Sequence, residues 1–247
     1  MRSVVLIPLL AALAAPASAL ARPAAVVKVT ECVPSLVPAQ RVASFEATVR
    51  AVAFTDRMQL RFTVQAKSGA QPFWHRVLTP GLDGWRTSMP GVRRYAYTRT
   101  LQNLSAPAAY RTIVRFRWLD ADGDRLASAR ATSAVCRQRD LRPNLKPLGV
   151  QARPGADTSH VRYVVPVVNR GRSPAGPFDV VVAVDGTALP PAQTPELAPG
   201  ERALVEVVGP PCSPGQPLTA DVDPTGAVDE RREDDNLLSV PCPGAPA

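Results

Sequence analysis

The decapeptide MQLRFTVQAK, Met58 to Lys67, decides how the rest of the chain is read. Met58, Leu60, Phe62, Val64 and Ala66 fall on one side of an extended backbone, and Gln59, Arg61, Thr63, Gln65 and Lys67 on the other. Side chains of a pleated strand point alternately to opposite faces, so this period of two predicts a half-buried β-strand. YRTIVRFRWL, Tyr110 to Leu119, repeats the pattern: Tyr110, Thr112, Val114, Phe116 and Trp118 share a face, opposite Arg111, Ile113, Arg115 and Arg117. HVRYVVPVVN (160–169) and FDVVVAVDG (178–186) do the same later in the chain. Pro and Gly break these runs at short intervals, and beyond the N-terminus no segment has the apolar period of an amphipathic helix. Sheets with one apolar face bury it against a second sheet, which predicts an all-β chain of stacked antiparallel layers.

The N-terminus, MRSVVLIPLLAALAAPASALA, has a basic start, a short apolar core and small-x-small cleavage sites, the layout of a secretory signal peptide over 1–21. Its core is too short for a lasting membrane span, and VPCPGAPA at the C-terminus has no apolar tail. The expectation is a secreted, extracellular chain without stable membrane insertion. There, Cys32, Cys136, Cys212 and Cys242 meet an oxidising environment in which pairing is the default. Four cysteines allow three pairings, of which the nearest in order keeps each bridge within one half. Metal ligation is the weaker alternative: no CxxC is present, and the histidines are His75 and His160 alone.

Charge divides what remains. Residues 22–138 hold 18 Lys+Arg and 7 Asp+Glu, whereas residues 139–247 hold 10 and 14. QRDLRPNLKPLG (138–149) carries two prolines at the join and reads as a short, stiff link. The predicted domains are therefore 22–138 and 147–243, with a linker over 139–146.

The second half resembles the CARDB domain, a cell-adhesion-related module of Ig-like sandwich fold. The matching residues are Pro143-Asn144-Leu145, VVNRG (167–171) with Ala175, Phe178 and Val180, LAPGE (197–201), ADVDPTG (220–226), and the spaced set Val228, Glu230, Glu233, Asn236. The resemblance implies an Ig-like β-sandwich and a role in adhesion or protein interaction. The first half resembles an Ig-like or fibronectin-type sandwich only generically, through LSAPAAYRTIVRFRW (104–118). There Leu104, Pro107 and Tyr110 are placed as in a tyrosine corner. The fold expected is two consecutive Ig-like antiparallel β-sandwich domains after a signal peptide.

Three constellations invite a functional reading. The acidic run VDPTGAVDERREDDN (222–236) has carboxylates enough for a calcium ion, but not the spacing of a 12-residue cation loop. The preferred reading is structural: Asp223 opens a turn, and the side-chain oxygens of Glu230, Glu233 and Asn236 satisfy backbone donors of the next loop. LDADGDRL (119–126) likewise reads as a hairpin turn at Asp122-Gly123. Arg111, Arg115 and Arg117 form a row on one sheet face, with Arg61 on a neighbouring strand. Such a face attracts anionic polymers, or else is a solvated surface whose Arg stems cover apolar atoms. Trp74 and Trp85, in Gly/Pro-rich segments, either join that face as a sugar- or protein-binding patch or cap an open end of the core.

Catalysis has little to stand on, since GxSxG, HExxH and phosphate-cradling glycine loops are all missing. No catalytic residue, metal or cofactor is expected. The leading expectation is an exported, non-catalytic binding or adhesion-type protein at or near the cell surface. Its partner would be an unidentified protein, or a surface glycan or other anionic polymer, with nucleic acid disfavoured by export. The alternatives are an accessory protein binding carbohydrate or anionic polymer through the basic first domain, and a secreted enzyme of unrecognised type.

Overall fold

The computed structural model describes residues 24–78, 81, 84–157 and 159–244. The segment read as a signal peptide, 1–21, lies outside them. Among the described residues the chain is built of antiparallel strands, with a single 3-10 turn at Pro38–Gln40.

The first sandwich contains β1 (Ala25–Val33), β2 (Val42–Arg50), β3 (Arg57–Ser68), β4 (His75–Arg76), β5 (Arg86–Thr87), β6 (Arg94–Leu101), β7 (Ala108–Leu119), β8 (Arg125–Thr132) and β9 (Cys136–Gln138). One layer runs β1-β2-β6; the other runs β4-β3-β7-β8, with β5 also on β3 and β9 on β7. Alternation on β3 is resolved as read: Met58, Leu60, Phe62, Val64 and Ala66 are buried, with the residues between them turned outward. Phe45, Phe62, Val114, Phe116 and Trp118 meet between the layers. The indole of Trp118 also donates to the Arg50 carbonyl at 2.7 Å, so its one polar group is satisfied at the edge of the core. The tyrosine corner forms, the Tyr110 hydroxyl accepting the Ser105 N–H at 2.9 Å beside buried Leu104. Asp122-Gly123 lies in the β7–β8 connection, where Asp120 accepts the Asp124 N–H at 2.8 Å.

The second sandwich contains β10 (Leu145–Pro147), β11 (Gln151–Pro154), β12 (Val161–Asn169), β13 (Phe178–Val184), β14 (Thr187–Ala188), β15 (Ala192–Thr194), β16 (Arg202–Gly209), β17 (Pro217–Val222) and β18 (Leu237–Pro241). β12 takes β10 and β11 along one edge and β16 along the other; the facing layer runs β14-β13-β17-β18, with β15 on β13. Tyr163, Val165, Phe178, Val180, Val207 and Leu218 contribute to a separate core. The link expected over 139–146 ends earlier than its prolines suggested. Leu145 and Lys146 pair with Asn169 and Val168, because the apolar Leu145 is drawn completely into the core.

Both disulfides follow the nearest-in-order pairing. Cys32–Cys136 ties β1 to β9 with its Cα atoms 5.5 Å apart, and Cys212–Cys242 spans 6.2 Å. Each closes a loop within one sandwich, the larger one over 104 residues.

Candidate functional site

The arginine row becomes a ladder once register is known. Arg61 on β3 lies directly opposite Arg115 on β7, and Arg115 directly opposite Arg130 on β8. One rung along, Gln59, Arg117 and Ser128 are in register; in the other direction Gln65 faces Arg111, whose Nε donates to Gln65 Oε1 at 2.9 Å. No Asp or Glu occurs in β3, β4, β5, β7, β8 or β9, the strands of this sheet. Among the described residues no carboxylate lies within ion-pair distance of Arg61, Arg115 or Arg130. Like charges placed directly opposite on neighbouring strands repel. This sheet holds three in line with no acid in its strands.

Trp74 and Trp85 sit on the same outer face and not in the core. The Arg111 guanidinium lies 4.1 Å from the Trp74 ring centroid, with the Lys67 ammonium 5.1 Å from the same ring. Arg117 lies 4.0 Å from the centroid of Trp85. Both indoles are half-buried, so the reading in which they cap the core gives way to one in which they carry arginines. A guanidinium stacked on an indole gains cation–π attraction while its N–H edges stay free for an oxyanion. Trp85, Arg115, Arg117, Arg125, Ser128 and Arg130 line a groove of about 410 Å³. Sequence reasoning missed Arg130, because β8 reads RLASARAT, with too few bulky apolar residues to reveal its faces.

The acidic run is mostly consumed by the fold. Asp223 accepts the Ala227 and Val228 N–H groups at 3.0 and 2.8 Å, while Gly226 N–H closes the turn onto the Asp223 carbonyl. Glu233 accepts the Glu230 N–H at 3.0 Å. Glu230, 1% exposed, accepts the Leu145 N–H and thereby pins the first strand of this sandwich from 85 residues away. Asn236 works opposite to expectation. Its amide nitrogen donates to Glu230 at 2.9 Å and to Glu233 at 3.5 Å, since the buried Glu230 carboxylate needs a donor on its second oxygen. Burial pushes the Glu230 carboxyl up to about 7, against the Leu145 and Asn236 hydrogen bonds that favour its charged form; the Glu233 and Asp223 charges add to the rise. Among the described residues no three acidic, His or Cys side chains converge as metal ligands.

The segment VVNRG has a matching role. Asn169, fully buried, accepts the Asn144 and Gly171 N–H groups and donates to the Ser173 and Leu197 carbonyls. At Gly171 a Cβ would stand 2.3 Å from Pro143 Cα, so the crossing of the two segments requires glycine.

His75 and His160 are both exposed. His75 borders a pocket of about 570 Å³ with Arg99, Asn103, Ser105 and Tyr110, in which none of the lining residues is acidic. His160 contacts Asp157 at 2.8 Å on the surface of the other sandwich.

Two antiparallel sheets locked by a buried Asn and a hydrogen-bonded acidic loop define an Ig-like β-sandwich module. Residues 140–240 match the CARDB family model, which covers this second sandwich. No curated protein matches the chain. Among solved structures, a domain described as a cell-surface protein from Methanosarcina acetivorans is similar at 21% identity and TM-score 0.37, covering 42% of this chain and 93% of its own. The CARDB domain of a Pyrococcus furiosus protein, in complex with di-metal ions, is 22% identical with TM-score 0.36, covering 42% and 94%. Red sea bream transglutaminase is 12% identical with TM-score 0.32, covering 89% of this chain and 31% of its own. With both disulfides closed and a CARDB domain present, the chain suits an extracellular or cell-surface setting.

Proposed function

We propose that the chain is a secreted, non-catalytic binding protein of adhesion type. On this reading it acts at or near the cell surface and engages an anionic partner through the outer face of its first sandwich. The observation that carries this is the in-register line Arg61–Arg115–Arg130, in a sheet whose strands contain no Asp or Glu. Uncompensated like charge costs stability. A partner bearing negative charge would relieve that repulsion, and stacked Arg111 and Arg117 offer planar, bidentate contacts beside it. The CARDB domain, bridged by its own disulfide, supplies the adhesion-type module alongside.

Retention of the mature chain on heparin or phosphocellulose tests this. Elution well above physiological salt, lowered by Arg115→Gln and Arg130→Gln together, is the expected result. Passage through the column at very low salt would remove the proposal.

A further inference from the structure

We infer that the outer face of the first sandwich binds an acidic polysaccharide, a sugar chain bearing carboxylate or sulfate groups, laid along β7. This rests on the reading of that face as an anion-binding surface.

The charge is arranged for a chain and not for a small anion. Arg111, Arg115 and Arg117 lie on one side of β7, and at a strand rise of about 3.4 Å per residue their backbones span roughly 20 Å. Lys67 continues the line past Arg111, being in register with Ala109. Arg61 and Arg130 widen it at the middle rung by one strand on each side. A monomeric acid meets one rung; an extended polyanion meets all of them.

What lies between the charges favours sugar. Thr63, Ile113 and Thr132 occupy one rung next to the arginine line, so a hydroxyl flanks β7 on either side. Gln59 and Ser128 flank Arg117 in the same way, Gln59 donating to Thr87 at 3.2 Å. Neutral donors and acceptors alternating with cations match a chain in which hydroxyls alternate with oxyanions. A phosphate polymer without sugar rings accepts from the donors among them but has no hydroxyl to donate to their acceptor oxygens.

The third feature is aromatic. One face of each indole is taken by an arginine, but Phe73, next to Trp74, is 84% exposed. An aromatic face carries negative charge density and attracts the polarised C–H groups of a sugar ring. On this proposal Phe73, one residue before Trp74 at the β4 edge of the sheet, supplies a contact that is indifferent to salt, alongside cationic contacts that are not.

The test uses the full mature chain. Affinity is measured across a salt series for a sulfated polysaccharide, a polyuronate, long-chain polyphosphate and a free uronic acid. The ionic part of binding falls with log salt in proportion to the charges neutralised, so extrapolation to 1 M salt isolates the rest. Both polysaccharides are expected to retain measurable affinity at that limit, polyphosphate to retain none, and the monomer to show no binding at any salt. Phe73→Ala and Thr63→Val should each weaken polysaccharide binding several-fold and leave polyphosphate unchanged. Arg115→Gln should weaken both polymers and flatten both salt dependences, whereas Arg94→Gln, on the other sheet, should change neither. Equal residual affinity for polyphosphate, or Phe73→Ala and Thr63→Val without effect, overturns the sugar assignment while the anionic surface stands. Failure of every polymer to bind at 50 mM salt overturns both.

Discussion

Glu230 is the most exacting place to test the account of the acidic run. Its carboxyl lies in the second sandwich with 1% of its surface exposed, holding the Leu145 N–H and the Asn236 amide. In the folded chain it titrates at about 7, against 4.5 when free. Because the folded value is the higher one, the stabilising effect is fully present below about pH 4.5 and is lost as pH rises towards 7. At 1.36 kcal/mol for each pH unit between the two values, the loss is on the order of 3 kcal/mol. For a domain of ~100 residues, each kcal/mol moves the melting midpoint by roughly 4–8 °C. The second sandwich should therefore melt roughly 12–24 °C lower at pH 8 than at pH 4.5. Calorimetry of the intact chain reads this, with tryptophan fluorescence identifying the other transition, since Trp74, Trp85 and Trp118 all lie in the first sandwich. Glu230→Gln, which like the protonated acid keeps one acceptor oxygen, should give a level profile. Glu230→Ala leaves the buried Leu145 N–H without its partner and the Asn236 amide with Glu233 alone, and should lose about 1–3 kcal/mol at pH 4.5 for the orphaned N–H. Histidine is the side chain that ordinarily changes charge in this window, so the series is run in a His160→Gln background. A wild-type midpoint that is level or climbs from pH 5 to 8, or a Glu230→Gln profile that falls in parallel, would refute the assignment of Glu230 as a buried, charge-averse pin.

Breaking Cys32–Cys136 by Cys→Ser exchange at both positions should destabilise the first sandwich by about 2–5 kcal/mol, read by Trp118 fluorescence in denaturant, since a large loop is released in the unfolded state. Asp223→Ala should lower the second transition by roughly 1–3 kcal/mol because the Val228 N–H is buried, and Asp223→Asn, retaining one acceptor, should lose less. Millimolar calcium should leave both thermal transitions where they are; an upward shift of several degrees would reveal a cation site among the loop carboxylates. Trp85→Ala should lower the salt at which the chain leaves a heparin column, while Trp85→Phe, which keeps a ring under Arg117, should restore most of it.

Much of the fold was legible because side-chain direction in a strand is a local property. Met58 to Ala66 and Tyr110 to Trp118 carry their burial pattern in their own spacing, and the structure repeats it except at Ile113, which is buried on the outer face. The Asp223 turn is an equally local signal, and four cysteines in two well-separated pairs leave few ways to join. Strands with a weak pattern were not legible. β8 alternates mostly Ala, Ser and Arg, so Arg130 went unnoticed until pairing with β7 brought it opposite Arg115. Leu145 was hidden by the prolines around it, which speak for a link until β12 supplies a partner strand.

By itself, then, the sequence determined the class of layers, the residues that face inward, and the CARDB character of the second half. Tertiary structure decided which charges meet: the line Arg61–Arg115–Arg130, the indoles beneath Arg111 and Arg117, the donor role of Asn236, and the reach of Glu230 to Leu145. The reason is physical. Alternation records the direction of a side chain relative to its own strand, whereas register and loop closure join residues distant in the chain, and these arise only when the sheets assemble.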